Sequence, residues 1–292
     1  MSAITAIPQV SARRRRTDKF MRGAVLAGTI VALIPLILII YYLLHKGLSA
    51  WTTSGFFTTD PTGSFFGSPG GIRSAILGSL EIVALATLIS IPIGIGVALY
   101  LTEYGKDTWF ANTVRYFVDV MTGVPSIMFG LFIYIVLVIG HAGGSGFAAW
   151  KGAVALSLLM LPIIIRSSEV VLLLVPSSLR EAALALGAPR WRVVFQVVLP
   201  TATSGLVTGS LLAIARGMGE TAPLLFTVST AFVLTTDLNA QMNTMPFLIY
   251  NDITSPRAAL QTIAWGTALT LVVIVLILNL VARLIASRSR MA

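Results

Sequence analysis

Arg166 beside Glu169, and Arg216 four residues before Glu220, stand inside otherwise apolar stretches of the sequence. A charged side chain at the centre of a membrane helix costs roughly 2.5–3.5 kcal/mol on insertion scales, so an arginine there faces a cavity or a partner charge. The planar guanidinium fork matches a tetrahedral oxyanion. If the helix continues past Gly219, Arg216 and Glu220 share one face, and Glu220 could hold Arg216 while no anion is present. Two readings follow for each pair: an anion path, with Arg216, Glu220 and Arg166 as its candidates, or a structural ion pair. Glu81 is a third isolated carboxylate; it lies near the outer end of the second apolar stretch or pairs with a residue of another subunit.

Such residues need long apolar elements to position them, and the composition supplies them. Of 292 residues, 56% are apolar and 11% charged, whereas a soluble domain carries roughly 25% charged residues. Runs of about 20 apolar residues, enough to cross the hydrocarbon of a bilayer, recur along the chain. Spans are expected at 23–44, 72–101, 113–139, 150–175, 201–232 and 260–285. The fold class is therefore all-α integral membrane with six transmembrane helices. The chain divides into a basic tail (1–22), a first span (23–44), an external loop (45–70), a transmembrane unit (71–285) and a short tail (286–292). The first apolar run is too long for a signal-peptide core, and Tyr41, Tyr42, His45 and Lys46 form an interfacial belt after it. Trp51, Phe56, Phe57, Phe65 and Phe66 suit a loop lying against the membrane surface. Gly123, Val124 and Pro125 interrupt the third span, and Gly217, Gly219 and Pro223 predict a break or re-entrant turn in the fifth. With the N-terminus inside, 14 basic residues fall on the cytoplasmic side, Lys106, Arg115, Arg180, Arg190 and Arg192 among them, against Lys46, Arg73, Lys151 and Arg257 outside. Both termini are thus expected in the cytoplasm, and topology explains the basic excess better than nucleic acid does.

Several chemistries are absent. No cysteine is present, which excludes disulfides and thiolate sites. Gly105-Lys106 lacks the rest of a phosphate-cradling loop. His45 and His141 have no ligand partner at helical spacing, so no metal site is expected, and Gly140, Gly143, Gly144 and Gly146 read as an external turn. No cofactor is expected in this chain.

The hydrophilic break at 176–200 reads Glu181-Ala182-Ala183, then Gly187, then Val197, Leu199 and Pro200. This resembles the cytoplasmic EAA loop of bacterial ATP-binding-cassette importer permeases, in which E-A-A is followed after three residues by Gly and after nine more by Ile-x-Leu-Pro. Val197 in place of Ile is the one departure. The resemblance implies a MetI-like permease fold in a bacterial inner membrane, and a loop that seats in an ATPase subunit and passes its closure to the spans. Small alanines permit close packing, Gly187 with Pro189 permits a sharp turn, and Glu181, Arg180, Arg190 and Arg192 offer polar contacts.

Further strings resemble the phosphate importer permeases, the A subunit in particular. They are Glu103-Tyr104, the run from Gly123 to Gly130, Arg166, and Ala215-Arg216-Gly217-Met218-Gly219-Glu220-Thr221-Ala222-Pro223-Leu224. The resemblance spans roughly 71–283 and implies a transport permease, not an enzyme. It also implies four kinds of partner: a homologous (PstC-like) permease, a dimer of (PstB-like) ATPases that hold the ATP and Mg, a (PstS-like) phosphate-binding protein, and the bilayer. Glu220 could then accept a hydrogen bond from a protonated phosphate oxygen, which sulfate lacks at neutral pH. A permease for molybdate, sulfate or another solute, or a secondary transporter, is the alternative.

Overall fold

The computed structural model describes residues 11–62, 68–140, 146–231 and 233–288. Phe65, Phe66, His141, Gly143, Gly144, Arg290, the first ten residues of the basic tail and the last four of the C-terminal tail lie outside them. The helices are α1 (Ala12–Trp51), α2 (Arg73–Leu99), α3 (Trp109–Gly123), α4 (Ser126–Ile133), α5 (Ala149–Leu173), α6 (Ser177–Ala185), α7 (Arg190–Val193), α8 (Leu199–Met218), α9 (Ala222–Thr227), α10 (Met245–Ile253) and α11 (Ala258–Arg288). α2 and α4 run on into π-helical segments at Tyr100–Gly105 and Tyr134–Ile139, and a third at Val194–Val198 joins α7 to α8. Among the described residues five helices are long and apolar enough to cross a membrane, and α3 with the 126–139 helix, bent by 104° between them, adds a sixth where the pair counts as one span. The bend falls where Val124, forced out of the helical region by Pro125, adopts ψ 129°.

Four sequence boundaries move. α1 has 40 residues and so a length of about 60 Å; it begins inside the basic tail and runs seven residues into the expected 45–70 loop. Nothing in its first turns breaks a helix, and Asp18–Arg22 adds an i,i+4 pair at 3.2 Å. Among the described residues of that loop Phe57 is exposed, but two anchors turn inward. Phe56 is buried under Gly266 of α11, and Asp60 receives Arg73 at 2.6 Å and the Ser74 N–H at 3.1 Å at the start of α2. The hydrogen-bonded Arg73 guanidinium holds the Asp60 carboxyl below its usual range. The expected fifth span (201–232) instead starts at Arg190 and stops at Met218. Pro200 is carried inside this helix because the preceding π-helical segment already interrupts the regular hydrogen-bond ladder. Lys151, counted among the outer charges, is buried in the first turn of α5 and donates to the carbonyls of Leu137 and Gly146.

α5 is the central post, with α2 and α8 packed on it. Gly205, Gly209, Ala213 and Gly217 place a small residue at every fourth position of α8, and this stripe faces α5 in antiparallel register. A Cβ on Gly205 would stand 2.5 Å from Val171, one on Gly209 2.4 Å from Ser167, and one on Gly217 3.0 Å from Met160. Small residues let helix backbones approach closely where lipid offers no hydrophobic drive to association. Gly205→Ala with Gly209→Ala is therefore expected to lower the thermal midpoint of the purified protein, at about 1–3 kcal/mol for each overpacked site. Gly96→Ala, where nothing lies within 4 Å, is expected to be neutral. Equal midpoints for the two variants would contradict this packing.

α9 and the chain after it close over the start of α5. The N–H groups of Ala148, Ala149 and Trp150 donate to the carbonyls of Thr227, Ala240 and Leu238, satisfying donors that a helix start leaves open. α10 lies outside the spans and buries Asp252, whose carboxylate accepts from the Asn251 amide at 3.4 Å. Burial pushes the Asp252 carboxyl up to about 6, against the smaller opposing effect of Asn251. A raised folded pKa means that this group's stability is fully present below pH 3.8 and is lost as pH rises through about 6. Asp252→Asn is accordingly expected to stabilise the protein at pH 7.5 by on the order of 1–2 kcal/mol and to give no gain at pH 4. Thermal melts at the two pH values check this; equal effects at both would contradict it.

Candidate functional site

Arg216 sits in the last turn of α8, next to the Gly217–Met160 contact near the midpoint of α5. It therefore lies near the mid-height of the spans, with its side chain exposed. The helix ends two residues later: Gly219 N–H donates to the Arg216 carbonyl, and Glu220 N–H to that of Gly217. Glu220 folds back so that its Oε1 lies 3.4 Å from Arg216 Nε, a loose pair with side-chain exposures of 58% for the arginine and 16% for the glutamate. Among the described residues the two Nη groups of Arg216 have no hydrogen-bond partner. They form an open fork of donors at mid-span, held from one side by a carboxylate.

Arg166 is built differently. Its Nη1 bonds Glu169 Oε2 at 2.7 Å, and its Nη2 contacts Asp119 and the carbonyl of Arg115. Arg115 in turn bonds Glu169 Oε1 at 2.7 Å. Two arginines and two carboxylates thus form a neutral cluster tying α3 to α5, with Glu169 almost fully buried. The donors that would receive an anion at Arg166 are already engaged. By the antiparallel register, Arg166 also lies nearly two turns below Arg216, toward the basic end of the bundle. Sequence reading counted Arg115 as a loop charge and missed Asp119; the matched pairs Arg115/Asp119 at i,i+4 and Arg166/Glu169 at i,i+3, both in apolar surroundings, were the available signal. Glu81 keeps its isolation: its Oε2 is buried without a hydrogen-bond partner among the described residues.

Two strings read separately in sequence meet in space. Gly130 of α4 abuts the backbone of Pro223 in α9, where a Cβ would stand 2.6 Å from the proline Cα. The segment after Gly123 and the Glu220–Pro223 break therefore form one packed unit beside Arg216.

The 176–200 segment forms a helix, a tight turn and the foot of the next span. α6 carries Glu181 and Ala182 on its exposed side, while Ala183 packs against the cluster around Leu172, Val193 and Ala202. Gly187 has φ +79°, and the hydrogen bonds Gly187 N–H to Leu184 O and Ala188 N–H to Ala183 O close a left-handed helix stop. Leu186, 89% exposed, projects from the turn. Leu199 and Pro200 are not in this loop; they belong to α8. The surface left open is a short helix end with an acidic residue, exposed leucines and Arg190 beside it.

Comparison with known proteins gives the family and the fold. Residues 90–291 match the family model described as "Binding-protein-dependent transport system inner membrane component". The phosphate transport system permease protein PstA of Yersinia pestis is 39% identical over 277 residues, covering 95% of this chain and 92% of the relative. PstA of Haemophilus influenzae is 39% identical, covering 93% and 94%, and PstA 1 of Mycobacterium tuberculosis (strain ATCC 25618 / H37Rv) 38% identical, covering 95% and 91%. Among solved structures, a chain of a bacterial alginate ABC transporter superposes with TM-score 0.62 at 15% identity, covering 95% of this chain and 97% of that one. A chain of the inward-facing MetNI methionine ABC transporter gives 0.58 at 19%, covering 75% and 97%. These two likenesses carry the fold, and the sequence relatives carry the branch. This integral inner-membrane protein belongs to the binding-protein-dependent transport system inner membrane components, within the branch of the PstA phosphate transport permeases.

Proposed function

We propose that this chain is a transmembrane permease subunit of an ATP-driven importer of inorganic phosphate, with Arg216 and Glu220 lining the path. The observation that supports it most is the open guanidinium fork of Arg216 at mid-span, paired loosely with a carboxylate that can accept from a protonated phosphate oxygen. An anion entering there gains charge-assisted hydrogen bonds without breaking a tight ion pair first. Arg166, the other arginine candidate, serves as a positioning group within its four-residue cluster.

In this reading the chain forms the path together with a homologous, PstC-like permease. A PstS-like binding protein delivers phosphate at the end where α9 and α10 lie. A pair of PstB-like ATPases, which bind the ATP and Mg, docks on α6 through Glu181, Ala182, Ala183 and the Gly187 turn. Both termini, α6 and the basic end of the bundle face the cytoplasm, following the distribution of arginine and lysine. The test is the ATPase activity of the purified complex with its binding protein. Phosphate is expected to stimulate hydrolysis while sulfate and molybdate do not; equal stimulation by sulfate would reassign the cargo.

A further inference from the structure

α6 has no buried residue, yet one of its side chains reaches into the bundle. Arg180 lies against Glu103 of the π-helical segment Tyr100–Gly105, with Nη2 2.8 Å and Nε 3.1 Å from Glu103 Oε1. The same guanidinium donates to the carbonyls of Val175 at 2.6 Å and Leu172 at 2.8 Å. These carbonyls lie at the end of α5, where a helix lacks internal donors. Side-chain exposures are 21% for Arg180 and 11% for Glu103. One guanidinium therefore joins three elements: α6, the end of α2 and the end of α5.

The π-helical segment is held from its other side as well. Arg115 donates to the carbonyls of Leu101 at 2.9 Å and Lys106 at 2.7 Å while bonding Glu169. Polar contacts thus run from α6 through Glu103 and the 101–106 backbone to Arg115, Glu169 and Arg166. By contrast, the covalent link from α6 to α8 passes through the Gly187 turn, where a Cβ on the glycine would meet nothing within 4 Å.

We propose that the Glu103–Arg180 pair is the positioning contact through which a displacement of α6 moves the ends of α2 and α5 together. This rests on the docking role given to α6 above. A bidentate pair whose donors are all engaged transmits displacement better than the apolar contact at Ala183, because it resists both separation and rotation.

The experiment uses the assembled transporter, purified through its ATPase subunit. Glu103→Ala, Arg180→Ala and the double variant are compared by phosphate moved per ATP hydrolysed, by recovery of the complex, and by crosslinking of Leu186→Cys to the ATPase. Each single variant is expected to lower phosphate per ATP about fivefold to tenfold with recovery and crosslink retained. The double variant is expected to be no worse than the poorer single, since both remove one contact. Glu103→Gln, which keeps shape and one acceptor, should show a smaller loss of the same kind and guards against misfolding. Unchanged phosphate per ATP with the crosslink intact, or single losses that multiply in the double variant, would overturn this proposal alone. Absence of the Leu186→Cys crosslink in the otherwise unaltered complex would overturn the docking role of α6, and the proposal with it.

Discussion

Arg216→Ala is expected to lower phosphate uptake by at least about a hundredfold, since two hydrogen bonds to a charged group at roughly 1.5–3 kcal/mol each are lost. The open Nη fork makes the effect specific to the anion: the substitution removes no tight structural bond, because the Glu220 contact is long and the arginine is more than half exposed. Arg216→Lys keeps the charge and loses the fork, so it should impair uptake less than alanine and more than Arg22→Lys, a change at a mostly exposed position far along the chain in α1. Glu220→Gln preserves shape and one acceptor but removes the charge that holds Arg216; it is expected to weaken discrimination between phosphate and sulfate. Arg166→Ala should behave unlike Arg216→Ala. It leaves Glu169 and Asp119 short of a partner in a partly buried cluster, so its main expected effect is on recovery of the complex. Uptake assays on complexes of equal recovery separate these outcomes, and unaltered uptake in Arg216→Ala would remove the arginine from the path.

The combined change Glu181→Lys with Gly187→Val is expected to abolish coupling while the chain still folds. Gly187 holds φ +79°, a conformation that costs a β-branched residue about 1–3 kcal/mol, and its Cβ would meet nothing. The strain therefore falls on the turn and not on packing. Glu181 is exposed on α6, so reversing its charge leaves the bundle untouched and alters only what docks there. Copurification of the ATPase and phosphate uptake should both fall, with the amount of membrane-inserted permease unchanged. Normal copurification with normal uptake would contradict the docking role of this surface.

Much of this was legible in the sequence. Long apolar runs specify spans because a bilayer leaves a chain few other options, and the breaks at Val124–Pro125 and at Gly217–Pro223 followed from what proline and glycine do to a helix. Boundaries were less legible. The ends of α1 and the start of the fifth span are set by continuous helix propensity through polar residues, which a hydropathy reading cuts at the first charges. The role of Arg166 was undecidable from its neighbours alone: Glu169 was visible at i+3, but Asp119 and Arg115 reach it from another helix. The same holds for Lys151, whose burial depends on carbonyls of Leu137 and Gly146 that tertiary packing brings over it. Arg216 and Glu220 were found because their pairing is local, within one turn. Glu103 was noticed only as part of a resemblance, since its partner Arg180 lies 77 residues away.

The most direct measurement is uptake of radiolabelled phosphate into proteoliposomes that hold the complete complex, with binding protein on one side and ATP on the other. The account requires accumulation that depends on both ATP and binding protein, is outcompeted by phosphate but not by sulfate, and disappears in Arg216→Ala. Phosphate accumulation that persists without ATP, or ATP-driven accumulation that sulfate outcompetes as well as phosphate does, would contradict it.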